Sequence, residues 1–302
     1  MKVLKLARFW VLSLATISLS VLLAAPSGAA SGYGPRLAHS TPAPGLHAVH
    51  EYTISDQKVR QLVLRSKFGQ SAASRLLHRV TTPLPLKSQA RYSFPDNTTS
   101  PTWAGYVDNV DASTNAVLGV QGEFTVSAVG AGGDMASWAG IGGSTGDTVI
   151  QTGVDSTLPG HPAWFEFFPS PPVYMFDTNP GDVMLSIAQL DEDNGSWAVL
   201  IEDLTSGFNF ADEFNFPGAD TSSAEWITEI VGGTGPVPGF SSPVQFANAA
   251  WLDVSGNFHD MVDFSDGDTF TEAVALADPQ GGHVFPSFVG GDFESFANSP
   301  AP

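Results

Sequence analysis

The sequence predicts an all-β fold, a sandwich of two antiparallel sheets, for the part of the chain that follows residue 95. Helical periodicity ends at a series of prolines that closes with Pro95 and Pro101. Beyond them, apolar and polar residues alternate in short runs, which Gly, Asn, Asp and Pro separate at intervals of roughly 8 to 15 residues. Period-two alternation is typical of half-buried strands, and two packed sheets bury the apolar faces of such strands.

Nine segments carry this strand pattern. They are Trp103–Val107, Val117–Val126, Thr148–Val154, Ala163–Phe168, Val183–Leu190, Trp197–Ile201, Ala224–Val231, Val244–Leu252 and Phe270–Leu276. No internal repeat of fixed period occurs among them. A domain of about 200 residues is large enough to be held by its core alone. We therefore expect one domain over residues 96–302. The Phe-rich tail, residues 285–296, is expected to complete its sandwich.

The first thirty residues predict a secretory signal peptide. Three basic residues, Lys2, Lys5 and Arg8, precede an apolar run from Phe9 to Ala25, and small residues follow. A basic, an apolar and a small-residue segment in this order are typical of a signal peptide. The alternative, a membrane anchor, is disfavoured because the apolar run is shorter than about 20 residues and contains Ser and Thr. We therefore expect an exported, extracellular protein.

Residues 31–95 predict a basic propeptide. Residues 31–54 are rich in Pro, Gly, Ala and His, as in a linker or a disordered segment. From Ser55 to Val80, apolar residues recur at helical spacing with Lys and Arg between them, which predicts one or two amphipathic helices. We expect this segment to dock on the oppositely charged domain that follows it. A basic helix that lies on a membrane surface is the alternative.

The charges are divided sharply between leader and domain. All 12 Lys and Arg residues lie before residue 92, and residues 92–302 carry 29 of the 31 acidic residues. Without Lys or Arg the domain forms no ordinary salt bridge, and its ionised carboxylates repel one another. Repulsion raises their folded-state pKa values, so we expect greater stability near pH 3 to 4 than at pH 7. A halophilic or merely soluble acidic surface is the alternative.

Composition and motifs exclude several kinds of catalysis. The chain has no Cys, which excludes disulfides, thiolate ligands and a Cys nucleophile. It has no H-E-x-x-H motif, and it lacks the Asp-Thr-Gly or Asp-Ser-Gly motif of pepsin-like enzymes. Gly142, Ser144 and Gly146 match G-x-S-x-G, but neither a following helix nor a His partner accompanies them. We interpret that match as chance.

An acidic cluster is the one candidate for a metal site. Its members are Asp263, Asp266, Asp268 and Glu272. Carboxylate oxygens suit Ca²⁺, but a solvated acidic loop is the interpretation we prefer, and protonation in acid would weaken a cation site. The three histidines of the domain, His161, His259 and His283, lack metal-ligand spacing. We expect neither a metal nor another cofactor.

Polar groups on strand faces are the remaining candidates for chemistry. Side chains alternate along a strand, so Gln151 shares a face with Val149, and Glu166 shares one with Trp164 and Phe168. An amide and a carboxylate on faces shared with apolar and aromatic residues are candidates for a cleft. Taken singly, each is more often a strand residue that faces solvent.

Two more carboxylates lie on one face of a later predicted strand. Glu225 and Glu229 point to the same side of the segment Ala224–Val231, whereas Trp226 points to the other. The alternation marks both carboxylates as candidates for the same cleft. It does not choose between them.

Seven ordered motifs carry a family resemblance. They are Trp103-Ala-Gly-Tyr-Val, Val120-Gln-Gly-Glu-Phe-Thr-Val, Ser137-Trp-Ala-Gly-Ile-Gly-Gly, Val149-Ile-Gln-Thr-Gly-Val, Ala163-Trp-Phe-Glu-Phe-Phe-Pro, Pro180-Gly-Asp and Ala224-Glu-Trp-Ile-Thr-Glu. Together they resemble the glutamic peptidases, or eqolisins, the pepstatin-insensitive acid endopeptidases. The resemblance spans residues 101–250. It implies a jelly-roll-like, concanavalin-type sandwich with a catalytic Gln and Glu on its concave face.

The resemblance also implies roles for particular residues. The catalytic Gln of the family falls on Gln151, and its catalytic Glu falls on Glu229. Contact with the substrate is expected from Trp138, Glu166, Trp164 and Phe168. The chain departs from the family at Gly142, where some relatives have Asp, and at Ile230, where relatives often have Asp. The first departure is expected to change the hydrogen bonding around the site.

The activity that the resemblance implies is peptide-bond hydrolysis at low pH by a secreted monomer. An ionised Glu229 would take a proton from the attacking water and return it to the departing amine. Gln151 would donate a hydrogen bond to the oxyanion. Protein and peptide substrates are the expected partners, with the propeptide as intramolecular inhibitor and without nucleic acid or membrane. The alternatives are a retaining glycosidase that uses Glu166 and Glu229, and a noncatalytic lectin-like module.

Overall fold

Strands make up almost all of the regular structure. The structure is a computed structural model that describes residues 48–52 and 97–300, except residues 131, 193, 234, 241, 263–268, 288 and 291–293. These residues belong to one compact unit, Leu37–Pro302. The predicted signal peptide, the predicted propeptide helices and three members of the acidic cluster, Asp263, Asp266 and Asp268, lie outside the described residues.

The described residues contain seventeen strands. They are β1 Ala48–Tyr52, β2 Asn97–Ser100, β3 Trp103–Val110, β4 Val117–Thr125, β5 Met135–Ile141, β6 Val149–Asp155, β7 Pro162–Phe168, β8 Val173–Asp177, β9 Val183–Asp191, β10 Ser196–Asp203, β11 Asn209–Phe214, β12 Ser223–Ile230, β13 Val244–Asp253, β14 Phe258–Asp260, β15 Thr269–Ala277, β16 His283–Pro286 and β17 Phe296–Pro300. A short 3-10 helix, Val231–Gly233, follows β12. Within the described residues, no helix has the length and apolar character needed to cross a membrane.

Every segment that the sequence analysis predicted as a strand contains one, so the all-β prediction is confirmed. The pairing is antiparallel except between β2 and β15, which are parallel. Seven strands form a series that we call the front run, in the order β8, β7, β6, β5, β12, β3 and β15. The front run carries the candidate site.

Five strands form a second series, the back run, in the order β11, β10, β9, β4 and β13. At one edge, β16 and β17 connect the two runs, because β15 pairs with β16, β16 with β17, and β17 with β13. The sheet is therefore continuous around that edge and nearly closed. The C-terminal strands β16 and β17 thus join the edge of the front run to the edge of the back run.

The main apolar core lies between the two runs. Its members include Ile150 and Phe165 from the front run and Val199 and Phe214 from the back run. The rings of Phe165 and Phe214 have centroids 5.0 Å apart. Such pairs of aromatic rings stabilise a core beyond the area that they bury. We call the face of each run that contributes to this core its inner face, and the opposite face its outer face.

One strand lies where the sequence analysis expected a linker. Ala48–Tyr52, within residues 31–54, pairs antiparallel with β11, opposite Ala211–Phe214. The expectation of an unstructured segment is therefore wrong for these five residues. Val and Tyr favour strands, and an unpaired edge strand offers free backbone groups to such a segment.

Candidate active site

Glu229 lies on the outer face of the front run, near the end of β12. The register places it opposite Ala136 of β5 and opposite Trp103 of β3. Trp138, two residues along β5 from Ala136, therefore points to the same face. The indole Nε1 of Trp138 donates a hydrogen bond of 2.9 Å to Glu229 Oε2. The strand register and one buried indole thus fix the position of this carboxyl.

Burial raises the pKa of Glu229 to about 7, and hydrogen bonds to Trp138 and Trp103 oppose the shift. Desolvation disfavours a charged carboxylate, whereas donors to its oxygens favour it. Since desolvation is the larger effect, the neutral acid predominates at acidic pH. The sequence analysis took Glu229 to be ionised under those conditions, whereas the raised pKa favours its neutral form.

Gln151 and Glu166 form the second part of the site. They lie directly opposite each other on β6 and β7. Gln151 Nε2 donates a hydrogen bond of 2.5 Å to Glu166 Oε2. Among the described residues, Gln151 Oε1 accepts no hydrogen bond. Since a side-chain amide carries two hydrogens on its nitrogen, Glu166 uses one and leaves the other available.

Burial also raises the pKa of Glu166 to about 7, with a further contribution from repulsion by Glu229. The two carboxyls therefore influence each other's protonation, and their titrations are coupled. The bond from Gln151 favours the ionised form of Glu166 but does not overcome the desolvation. Both carboxyls are therefore largely protonated in acid.

These groups line one cleft of about 310 Å³. Gln151 pairs with Gly140 of β5, whereas Glu229 pairs with Ala136 of the same strand, so the two groups are offset by four positions along β5. The cleft spans this offset. Its lining comprises Trp103, Ala136, Gly143, Gly146, Asp147, Val149, Gln151, Asp155, Trp164, Glu166, Phe168, Pro172, Tyr174, Glu229, Val231 and Gly232.

The aromatic residues expected to contact the substrate differ in their exposure. Trp164 and Phe168 line the cleft, and Phe168 is 46% exposed. Trp138 is fully buried and does not line the cleft; its indole contacts Glu229. A Cβ atom at Gly153 would lie 2.6 Å from Cβ of Trp138 and 2.9 Å from Cζ2 of Trp164. The glycine of the I-Q-T-G motif therefore makes room for both indoles.

The departure from the family at Gly142 has a structural reason. The residue has a φ of 84°, and a Cβ there would lie 2.6 Å from the backbone oxygen of Asp220. A side chain at this position is therefore disfavoured both by conformation and by space. Asp220, from the segment before β12, instead accepts a hydrogen bond of 3.1 Å from the backbone N–H of Gly143. A carboxylate thus reaches this turn from another part of the chain.

Glu225, the other candidate carboxyl of β12, has a different environment. It is fully buried and does not line the cleft. Burial raises its pKa well above the ordinary value, and repulsion by Asp220 adds to the effect. Of the two carboxyls that the strand pattern left as candidates for the cleft, only Glu229 lines it.

The residues that the sequence analysis set aside have structural partners. The Ser144 hydroxyl donates to Asn109 Oδ1 at 2.8 Å, and a strand rather than a helix follows its G-x-S-x-G segment. His161 Nδ1 lies 2.7 Å from the backbone oxygen of Ser156. Among the described residues, no group of three or more His, Asp or Glu is arranged to hold a metal ion.

Two aromatic residues of the cleft were not anticipated as parts of the site. Trp103 opens the first family motif, but its proximity to Glu229 depends on the pairing of β3 with β12. Tyr174 lies in β8, for which no strand was predicted. Alternation assigns residues to faces within one strand, but it carries no information about which strands are neighbours. Only the pairing could have identified these two residues.

Two partly buried carboxyls and an amide in one cleft of an all-β fold are groups suited to acid–base hydrolysis. The model of the Peptidase A4 family matches residues 101–284. This match covers more than half of the chain, which therefore belongs to the Peptidase A4 family, the glutamic peptidases. The resemblance inferred from the seven motifs is confirmed, and the chain is a glutamic endopeptidase.

Solved structures agree in fold. Scytalido-glutamic peptidase, solved with a peptide-based transition state analog, has 20% sequence identity and a TM-score of 0.54, with 66% of this chain and 98% of that chain covered. SCP-B, a member of the eqolisin family in a complex with the tripeptide Ala-Ile-His, has 18% identity and a TM-score of 0.50, with the same coverage of each chain. No curated protein sequence matches the chain.

Proposed function

We propose that the chain is a secreted acid endopeptidase in which Glu229 and Gln151 hydrolyse peptide bonds in protein substrates. The observation that carries this proposal is the convergence of Glu229, Gln151 and Glu166 on one cleft, although they come from three different strands. A proton donor and acceptor beside an amide donor is the set of groups that water attack on a peptide carbonyl requires.

The raised pKa of Glu229 determines how the reaction begins. A neutral carboxyl has one oxygen that donates a proton and one that accepts a proton. As water attacks the carbonyl carbon, Glu229 accepts a proton from the water and donates its own to the carbonyl oxygen. The product is a neutral tetrahedral diol, and Glu229 is again neutral. This cycle replaces the ionised base that the sequence alone suggested.

The second step uses the same carboxyl in the same way. Glu229 donates its proton to the peptide nitrogen while the C–N bond breaks, and it accepts a proton from one hydroxyl of the diol. The products are a carboxylic acid and an amine, which acid then protonates. Protons and bonds balance in both steps without a covalent intermediate.

Gln151 stabilises the charge that develops on the carbonyl oxygen. Its Nε2 has one hydrogen bonded to Glu166, which holds the amide with its other hydrogen available to the substrate. A donor that is fixed before the reaction needs no reorganisation in the transition state, and such donors contribute about 2.7 to 4 kcal/mol in other enzymes. Glu166 thereby acts as a positioning residue for Gln151.

The substrate is proposed to be an extended peptide that lies across the front run. Apolar contact would come from Trp164, Phe168 and Tyr174 along the cleft. Two proteins of the same fold were solved with a peptide-based analog and with a tripeptide, which supports this substrate class. We also propose that the front and back runs are the two sheets of a β-sandwich, because their inner faces share one core.

Export and inhibition complete the proposal. Residues 1–30 would direct secretion, and residues 31–95 would inhibit the domain until acid protonates its carboxylates. The antiparallel pairing of Ala48–Tyr52 with β11 supports docking of the propeptide on the domain. A peptide of residues 31–91 should bind the separately purified domain at pH 7 and release it at pH 3 or in high salt. Binding that ignores both pH and salt would contradict this part.

One assay tests the catalytic proposal. Full-length protein is incubated at pH 3 with a denatured protein and pepstatin, beside Glu229→Gln, Gln151→Glu and a control, Glu123→Gln. Glu123 is a buried carboxyl of the back run whose pKa burial also raises to about 7. We expect Glu229→Gln to lose about 10²- to 10⁴-fold in kcat, and Glu123→Gln to match the wild type. Full activity of Glu229→Gln would refute the proposed role.

The same assay separates the alternatives. A glycosidase that uses Glu166 and Glu229 would release sugar from a glycan and leave protein intact. A lectin-like module would bind a glycan without turnover. Membership of a peptidase family argues against both alternatives.

A further inference from the structure

A C-terminal residue connects the strands that carry the site. Asn298 lies in β17, beyond residues 101–284 that match the family model. It is opposite Val244 of β13 and Pro286 of β16, and it is fully buried. A fully buried amide must make hydrogen bonds or lose free energy.

The Asn298 amide bonds to two strands of the front run. Its Nδ2 donates to the backbone oxygen of Ala104 at 3.0 Å and to Thr228 Oγ1 at 2.9 Å. Thr228 Oγ1 in turn lies 3.3 Å from Ser137 Oγ. One side chain therefore connects β3 and β12 directly and reaches β5 through a hydroxyl.

Each of these contacts is next to a residue of the site. Ala104 follows Trp103, Thr228 precedes Glu229, and Ser137 precedes Trp138. Successive side chains of a strand point to opposite faces, so the hydroxyls of Thr228 and Ser137 lie on the inner face, directly behind Glu229 and Trp138. Asn298 also bonds to the backbone of β3 at Ala104, the residue next to Trp103.

We propose that Asn298 is a positioning residue for Glu229: it holds β3, β12 and β5 at the relative depth at which Trp103 and Trp138 contact the catalytic carboxyl. This inference rests on the proposed function of Glu229. Displacements of about 1 Å in a catalytic group can cost about 10²-fold in rate, so a fixed network behind the site has a clear advantage.

The chemistry of the position favours this role over filling of the core. Phe296, two residues earlier in β17, stacks on Phe246 with ring centroids 4.7 Å apart, and this end of the core is apolar. A leucine would fill the space of Asn298 without burying polar atoms. Among the described residues, Asn298 Oδ1 accepts no hydrogen bond, so burial of the amide has a cost that packing alone does not require.

The test uses full-length protein, processed in acid, with the variants Asn298→Leu, Asn298→Asp and Phe296→Leu. We expect Asn298→Leu to lower kcat about tenfold or more at every pH, with KM within about twofold of the wild-type value. The control Phe296→Leu removes apolar contact from the same strand. It should lower the melting temperature and leave kcat and its pH profile unchanged.

Asn298→Asp adds a second measurement, the pH dependence of kcat relative to the wild type, which a purely structural role of Asn298 would leave unchanged. In acid its protonated carboxyl can donate one hydrogen bond to Thr228 or Ala104, so kcat at pH 3 should lie between the values for the wild type and Asn298→Leu. The ionised carboxylate has no donor and would repel the Ala104 oxygen. Its kcat relative to the wild type should therefore fall as pH rises. If Asn298→Leu does not fold, this pH-dependent ratio decides the question.

The outcomes separate this inference from the function on which it rests. Active wild-type protein with unchanged kcat in Asn298→Leu, or with a pH-independent ratio for Asn298→Asp, would overturn the inference alone. Wild-type protein without proteolysis, or full activity in Glu229→Gln, would overturn the proposed function and this inference with it.

Discussion

The outer faces of the front and back runs both carry a carboxyl with a raised pKa beside an amide, and the cleft described above lies on the front run. In the back run, Asn248 Nδ2 donates to Glu123 Oε1 at 2.8 Å, and Gln121 Nε2 donates to the backbone oxygen of Asn248 at 3.2 Å. Burial raises the pKa of Glu123 to about 7, as it does for Glu229. A raised pKa therefore does not identify the site by itself.

Access distinguishes the two clusters. Glu123 is 3% exposed and its amide neighbour is used within the protein, whereas Glu229, Gln151 and Glu166 line a cleft of about 310 Å³. A carboxyl with suitable proton affinity catalyses nothing unless a substrate can reach it. The back run thus supplies matched controls for Glu229, Gln151 and Trp138.

The largest expected difference is between the two glutamines. Gln151→Ala removes the proposed donor for the oxyanion and should lower kcat by about 10²- to 10³-fold. Gln121→Ala removes an amide of similar burial from the back run and should leave kcat within about twofold. Steady-state cleavage of a peptide at pH 4 measures both. Equal losses in the two variants would remove the functional distinction between the faces.

The pH dependence of the reaction tests the protonation state of Glu229. Its pKa of about 7 means that the neutral form predominates below that pH. If the neutral form starts the reaction, kcat/KM should be level in acid and fall about tenfold per pH unit above 7. A value of kcat/KM that instead rises with pH up to about 7 would show that Glu229 acts as an ionised base.

Substitution of Trp138, whose indole contacts Glu229, should have a smaller effect on kcat than loss of Gln151. Trp138→Phe removes a hydrogen bond that lowers the pKa of Glu229, so the decline in kcat/KM should move to higher pH, and kcat should fall about tenfold. Trp251 of the back run is the control, because it is fully buried and its Nε1 donates to no described residue. Trp251→Phe should change stability without moving the pH profile. A shift of the profile in both variants would point to a general loss of packing.

Strand positions in the fold were predictable where short runs of apolar residues lie between Gly, Asn, Asp and Pro. The predicted segments Thr148–Val154 and Ala163–Phe168 correspond to β6 and β7. In contrast, β5 was not predicted as a strand, because the sequence of Met135–Ile141 shows no alternation of apolar and polar residues. Burial alone does not explain the difference, since all seven residues of β5 and all seven of β6 are buried.

The groups of the candidate site were predictable as types, but their contacts were not. Alternation placed Gln151 and Glu166 on faces with apolar neighbours, and the motifs selected Glu229 over Glu225. The bond from Trp138 to Glu229 and the network behind it depend on register between strands that are distant in sequence. Register is set by the packing of whole faces, so no local pattern reports it.

The smallest expected effect concerns stability and is measured on Glu123. The folded-state pKa of Glu123 is about 7, above its ordinary value of 4.5, so the folded protein holds this proton more tightly than the unfolded chain does. The resulting stability is present below pH 4.5 and is lost as pH rises through 7. Glu123→Gln keeps an oxygen that accepts from Asn248 but cannot ionise. The melting temperature of this variant should therefore fall less than that of the wild type between pH 4 and pH 8.

Differential scanning calorimetry of both full-length proteins measures this difference. A change of 1 kcal/mol shifts the melting temperature of a domain of this size by about 2 to 4 °C, which calorimetry resolves. The melting temperature of the variant should still fall somewhat as pH rises, because the pKa values of Glu166 and Glu229 are also about 7. Identical slopes for the two proteins would mean that Glu123 is ionised in the folded state. In that case the carboxyls of the two outer faces would differ in proton affinity. Access of substrate to the carboxyl would then no longer be the main difference between the faces.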